Sequence, residues 1–219
     1  EYALAILLLS AMPTGMTAPL LVEVVGGKTS VALLLTVTTS IIAPFTIPLV
    51  LSTLAGASVS VSLGSMTWTL IQAILIPFIL AQIVRFTLHE KIKRTYKAIK
   101  PISLILLGLL IAGVTAKWSD TILTELGTAL GEQLLVLTVF LILLLTVGYF
   151  VAFWRPRKDR WTVAMSVTFM NFTLAIFLAD TFFDNASVTL STILILFPWT
   201  LIVIPLKRTV KRICGDYCR

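Results

Sequence analysis

"AMPTGMTAP", residues 11–19, interrupts an apolar run that starts as "YALAILLLS" (2–10) and resumes as "LLVEVV" (20–25). Pro13 has no N–H for the carbonyl of Leu9, and Pro19 has none for that of Gly15, so a continuous helix would strand backbone acceptors. Lipid cannot replace the missing donors. Residues 2–12 make a half-helix of about 16 Å and residues 17–25 one of about 13 Å, at about 1.5 Å per residue. The interruption therefore falls near mid-bilayer. Gly15 widens the conformations open to the backbone, Thr17 is placed as an N-cap, and Pro19 suits the first turn of a second half-helix. The stretch predicts a discontinuous helix. Helices of this kind form the binding sites of secondary transporters, with half-helix N-termini facing anions and unwound carbonyls facing cations.

Composition establishes that a membrane is the right solvent. Hydrophobic residues make up 58% of the chain and charged residues 12%, against about 45–50% and about 25% in soluble domains, and the mean hydropathy is +1.03. Seven apolar runs approach the length needed to cross the hydrocarbon core, at residues 2–25, 29–54, 64–88, 101–116, 131–153, 161–183 and 187–206. The fourth, "PISLILLGLLIAGVTA", is short and draws on the following "KWSDTILTELGTAL". None shows the alternation of a membrane barrel strand. The expected fold is all-α, a polytopic membrane helix bundle with discontinuous helices. Residues 1–206 form the transmembrane domain, and 207–219 form a basic cytoplasmic tail.

With the N-terminus outside, 16 of the 17 basic residues fall on inner segments and only Lys117 falls outside. The positive-inside rule then places the C-terminus in the cytoplasm. The net charge of +7 reflects topology signals and contacts with anionic lipid headgroups, so nucleic acid is not an expected partner. Glu1 is not an initiator methionine, and upstream helices are expected, without which the chain alone would not transport. The connection "RFTLHEKIKRTYKAIK" (85–100) reads as a loop or interfacial helix, with His89 a surface residue. Cys214 and Cys218 in the tail read as reduced thiols, with palmitoylation the alternative.

Two further polar patches lie at the depth of the first break. In "KTSVALLLTVTTSIIAPFTIP" (28–48), Thr36, Thr39 and Ser40 share one helical face, and Pro44 frees the carbonyl of Ser40. In "WTVAMSVTFMNFTLAIFLAD" (161–180), Asn171 lies close to mid-span with Ser166, Thr168 and Thr173 around it. An asparagine at that depth faces protein or water. Asp180 lies near the outer end, where snorkelling to solvent suffices.

"MPTGMTAPLLVEVVGGKTSVAL" followed by "TTSIIAPFTIP" and then "FMNFTLAIFLAD" resembles the bile acid:sodium symporter superfamily over the whole chain. The resemblance implies ten helices in two inverted five-helix repeats, the fourth and ninth unwound and crossing at the substrate and sodium sites, with the seven spans here equivalent to helices four to ten. It further implies a secondary transporter of a small organic anion working by alternating access in a prokaryotic plasma membrane, without a bound cofactor. Pro13, Thr14, Gly15, Thr17, Asn171 and Thr173 are the expected substrate contacts. Thr36, Thr39, Ser166 and Thr168 are the candidate sodium ligands.

The sequence also departs from the family pattern. Ala18 and Pro19 stand where the family has a Ser-Asn pair, and Ser166 and Met170 where it has Glu and Gln, all sodium ligands. Neutral oxygens then face a hard cation without a carboxylate, which argues against strong sodium coupling. The arsenite-efflux branch, suggested by "NFTLAI" (171–176), depends on a cysteine near position 16 that this chain lacks. A seven-helix receptor or retinal protein is the other alternative, but no mid-span lysine is available for a Schiff base. Intramembrane catalysis would need clustered His, Asp, Glu or Cys at depth, which the spans do not supply.

Overall fold

A computed structural model describes residues 2–55, 62–87, 130–183 and 185–202, with scattered helical positions between 102 and 120. The chain begins with α1 (Tyr2–Ser10), leaves the helix at Ala11 and re-enters it as α2 (Ala18–Val25). Gly26 closes α2 in the left-handed region at φ 88° and donates to the carbonyls of Glu23 and Val22, a conformation that glycine adopts without steric cost. Next, α3 (Thr29–Leu54) runs for 26 residues straight through Pro44 and Pro48.

The third run is helical over Leu63–Thr87, as expected, but not uniformly so. Its ends are α4 (Leu63–Leu70) and α5 (Ile76–Thr87), and a π turn at Ile71–Leu75 joins them. Pro77 accounts for the insertion: its ring would crowd the carbonyl of Ala73 in a regular helix, and a wider turn just before it makes room.

The fifth run forms α6 (Leu130–Val151). The sixth, read from hydropathy as one apolar stretch over 161–183, resolves into α7 (Arg157–Thr168), a break at 169–171, α8 (Phe172–Leu178) and a π turn at Ala179–Phe183. Its helix starts four residues earlier than the apolar run, because Pro156 ends the loop and buried Asp159 is neutralised by ion pairs. The seventh run gives α9 (Ala186–Leu194), initiated by Asn185, whose side chain accepts from Ser187 N and Val188 N. The segment is helical on both sides of a turn at Ile195 as far as Ile202.

Among the described residues three helices, Thr29–Leu54, Leu63–Val84 and Leu130–Val151, are individually long and apolar enough to cross a membrane. The molecule is thus an all-helical membrane bundle that associates with the lipid bilayer. The fourth run as a whole, His89, Cys214, Cys218 and the 207–219 tail lie outside the described residues.

Among the described residues, most buried apolar side chains fall into two clusters. The larger unites Leu8, Leu9 and Met12 with Ile47 and Leu51 of α3, Leu137 and Leu141 of α6, Met170, Leu174 and Leu178, and Leu194 of α9. The smaller joins Ala18, Val22 and Val25 to Ala32, Met165 and Phe169. Along the chain the boundary falls between Met12 and Ala18, and between Phe169 and Met170. Both lines run through the two breaks.

Candidate functional site

The two breaks meet. Thr14 and Met170 form an isolated antiparallel bridge, made by Gly15 N donating to Phe169 O at 2.7 Å and Asn171 N donating to Pro13 O at 2.8 Å. Backbone groups freed by the loss of helix are thereby paired across the crossing, which is how non-helical backbone is tolerated at this depth. Met12, Pro13, Thr14 and Gly15 are buried, as are Phe169 and Met170.

Gly15 acts here through its size. Its φ is not in the left-handed region, which among the described glycines only Gly26 occupies. A Cβ on Gly15 would stand 2.7 Å from Met170 O and 2.9 Å from Phe169 O. The expected conformational role is therefore replaced by close backbone approach.

A second correction concerns Thr17. It occupies the N-cap position of α2, but it has αR geometry and makes no side-chain cap bond. The N–H groups it would serve are spoken for: Pro19 has none, and Leu20 N donates to Thr17 O at 3.1 Å. Asn171, by contrast, caps α8, its Oδ1 accepting from Leu174 N at 3.1 Å. That bond uses only the oxygen of the amide. The sequence carries the signal for this cap, an asparagine directly before an apolar helical run.

Thr39 reaches the crossing from α3. Its hydroxyl donates to Leu35 O at 2.7 Å and accepts from Thr14 N at 3.1 Å. The other candidate cation ligands behave alike as donors: Thr36 donates to Ala32 O at 2.9 Å, Ser166 to Thr162 O at 2.8 Å, and Thr168 to Ala164 O at 2.8 Å. Each proton is thus directed to a helix carbonyl, and what each hydroxyl can offer a partner is oxygen lone pairs. Among the described residues no three or more His, Cys, Asp or Glu side chains gather as a metal site.

The expected substrate contacts separate by exposure. Pro13, Thr14 and Gly15 are buried in the bridge, Asn171 is half-buried, and Thr17 and Thr173 are exposed beside it. Four helix ends converge there: the C-termini of α1 and α7 and the N-termini of α2 and α8. Unwound carbonyl ends favour cations and helix N-termini favour anions, so the crossing offers both signs at one place.

Three features went unanticipated. Trp199 stands edge-on to Phe169 and Phe172, with ring centroids 5.3 and 5.4 Å away. Between α6 and α9, buried Gln133 donates to Ser191 at 2.6 Å. Where α2 meets α7, buried Asp159 pairs with Lys28 at 2.5 Å and Arg155 at 3.2 Å, and Lys28 N donates to the Thr162 hydroxyl at 2.9 Å. Asp180, expected to reach solvent on its own, pairs with Lys117 at 2.7 Å. Apart from the Arg155–Asp159 pair, four residues apart, these partners are distant in sequence, by 58 residues for Gln133 and Ser191 and by 134 for Lys28 and Thr162, so no local periodicity reports them.

No curated protein matches the chain. The sequence model of the Sodium Bile acid symporter family, a transporter family, matches residues 1–125, a segment that includes the first break and all of α3. With more than half of its length matched, the chain belongs to the Sodium Bile acid symporter family.

Proposed function

We propose that the protein is a secondary transporter that moves a small organic anion by alternating access around the crossing of residues 13–15 with 169–171. The observation that carries this reading is the pair of hydrogen bonds Gly15 N to Phe169 O and Asn171 N to Pro13 O. They tie two interrupted helices together where each has spent about half a bilayer of length. Thr17, Asn171 and Thr173 are the accessible polar groups for the anion. The proposed setting is a prokaryotic plasma membrane with the C-terminus cytoplasmic.

Sodium coupling is proposed to be weak or absent. Thr36, Thr39, Ser166 and Thr168 are neutral, and neutral oxygens alone must meet the desolvation cost of a bound cation. Thr39 is further engaged by Thr14 N. The test is uptake of a radiolabelled bile acid into proteoliposomes holding the full-length protein, with sodium and with choline in its place. Uptake should persist in choline, and Asn171→Ala should lower it by removing the cap on α8 and a polar contact. Strict sodium dependence at low millimolar concentration would contradict weak coupling. If Asn171→Ala instead raised only the sodium concentration required, Asn171 would belong to a cation site.

A further inference from the structure

The connection between α6 and α7 reads "YFVAFWRPRKDR", residues 149–160. At 22 residues, α6 is about 33 Å long, close to the roughly 30 Å of a hydrocarbon core. The residues just beyond Val151 therefore come at headgroup depth. Phe153 and Trp154 are 70% and 69% exposed there and meet edge to face at 5.0 Å. An exposed aromatic pair at this depth is suited to the membrane interface.

The same turn of chain carries Arg155, Arg157, Lys158 and Arg160, with Asp159 the sole acidic residue among them. Asp159 is 2% exposed and committed to Lys28 and Arg155. Arg160 is also committed, with its Nε donating to Tyr149 O at 3.3 Å and its guanidinium lying 4.2 Å from the Tyr149 ring centroid. Arg155 meets Asp159 through one nitrogen while its side chain remains 54% exposed, leaving further N–H groups of a five-donor fork directed elsewhere. Arg157 is exposed and Lys158 half-exposed, and neither forms an ion pair with a described residue. Uncompensated positive charge thus adjoins bare aromatic surface.

We propose that this loop binds an anionic phospholipid, its phosphate held by Arg155, Arg157 and Lys158 and its acyl chains lying along Phe153 and Trp154. A soluble anion would match only the cations, whereas an amphiphile with a negative head matches both halves of the patch. The bound lipid would rest on the first turn of α7, whose opposite end enters the crossing. It would also leave the Asp159 pairs intact, because the phosphate can use the outward N–H groups of Arg155.

The test is fluorescence quenching by brominated lipid, with the chain reconstituted in phosphatidylcholine vesicles. Trp154 is one of five tryptophans, so its contribution is the quenching lost in Trp154→Phe. At equal mole fraction, brominated phosphatidylglycerol should quench that component more strongly than brominated phosphatidylcholine. R157Q and K158Q should lower the preference by about fivefold per cation removed. Quenching by brominated phosphatidylcholine should not change in these variants, which reports an intact fold at the same depth, and millimolar inorganic phosphate should not displace the lipid. Equal quenching by the two lipids, an unchanged preference in R157Q/K158Q, or displacement by phosphate would each overturn the proposal.

Discussion

Pro13 lies inside and Pro19 just beyond the seven residues without helix, 11–17, whereas Pro44 and Pro48 sit inside a helix that runs unbroken from Thr29 to Leu54. Both pairs remove backbone donors, so the missing N–H groups do not by themselves decide the outcome. What differs is the availability of another partner. In α3 the prolines are four residues apart on one face, buried with Ala43, Ile47 and Leu51, and among the described residues no extended segment pairs with them to replace the helical bonds. At residues 13–15 such a segment exists. Gly15 admits residues 169–171 to hydrogen-bonding distance, and Thr39 accepts the remaining N–H of Thr14. A proline in a membrane helix therefore weakens the helix, while the competing partner determines whether it opens.

Gly15→Leu attacks the competing partner directly and should have the largest effect. Its Cβ alone would be 2.7 Å from a backbone oxygen, so the crossing must separate, at a cost of about 3 kcal/mol, the upper end for overpacking. Uptake should be abolished while membrane insertion, read from cysteine accessibility of the loops, stays normal. Transport at the unaltered rate would mean that the close approach is not required.

Thr39→Val should rank next. It leaves Thr14 N–H without its acceptor in a part-buried site, a loss of about 1–3 kcal/mol, and uptake and thermal stability should fall together. Thr39→Ser, which restores the hydroxyl, should recover both. Failure of serine to rescue would show that the threonine methyl, and not the hydrogen bond, matters at this position.

Pro44→Ala should have the smallest effect, because the helix is already continuous and the substitution merely returns a donor for the carbonyl of Ser40. A stability change of about 1 kcal/mol, the net worth of one restored hydrogen bond, and unchanged uptake are expected from thermal unfolding and flux assays. Loss of uptake would place the shape of α3 at Pro44 within the transport machinery, and the contrast between the two proline pairs would dissolve.

The same contrast explains which parts of the molecule were legible in the sequence. Hydropathy located the spans well: 29–54 coincides with α3, and 131–153 lies within two residues of α6 at either end. Pro13, Gly15 and Pro19 announced the first break because they alter local backbone energetics. The break at 169–171 has no proline or glycine, so hydropathy gave a single run and only the family resemblance pointed to unwinding there. Its cause is non-local, the pairing with residues 13–15 together with the Asn171 cap. For the same reason nothing local in the sequence announces Asp159, whose two cations bury it at the start of α7. Thr17 stands at the expected N-cap position without a side-chain cap bond, because Pro19 at the second helical position has no N–H and the Thr17 carbonyl takes the next one.

The account rests on residues 13–15 pairing with 169–171 in register. In an antiparallel bridge whose hydrogen bonds flank the central pair, the two Cα atoms lie about 4.5 Å apart, within disulfide range. Thr14→Cys with Met170→Cys, in a background where Cys214 and Cys218 are serine, can be oxidised in the membrane with a permeant oxidant and compared with the offset pair Met16→Cys and Met170→Cys. The account predicts rapid intramolecular cross-linking of the first pair and little of the second. Absence of a cross-link between positions 14 and 170, or equal reaction of the offset pair, would contradict it.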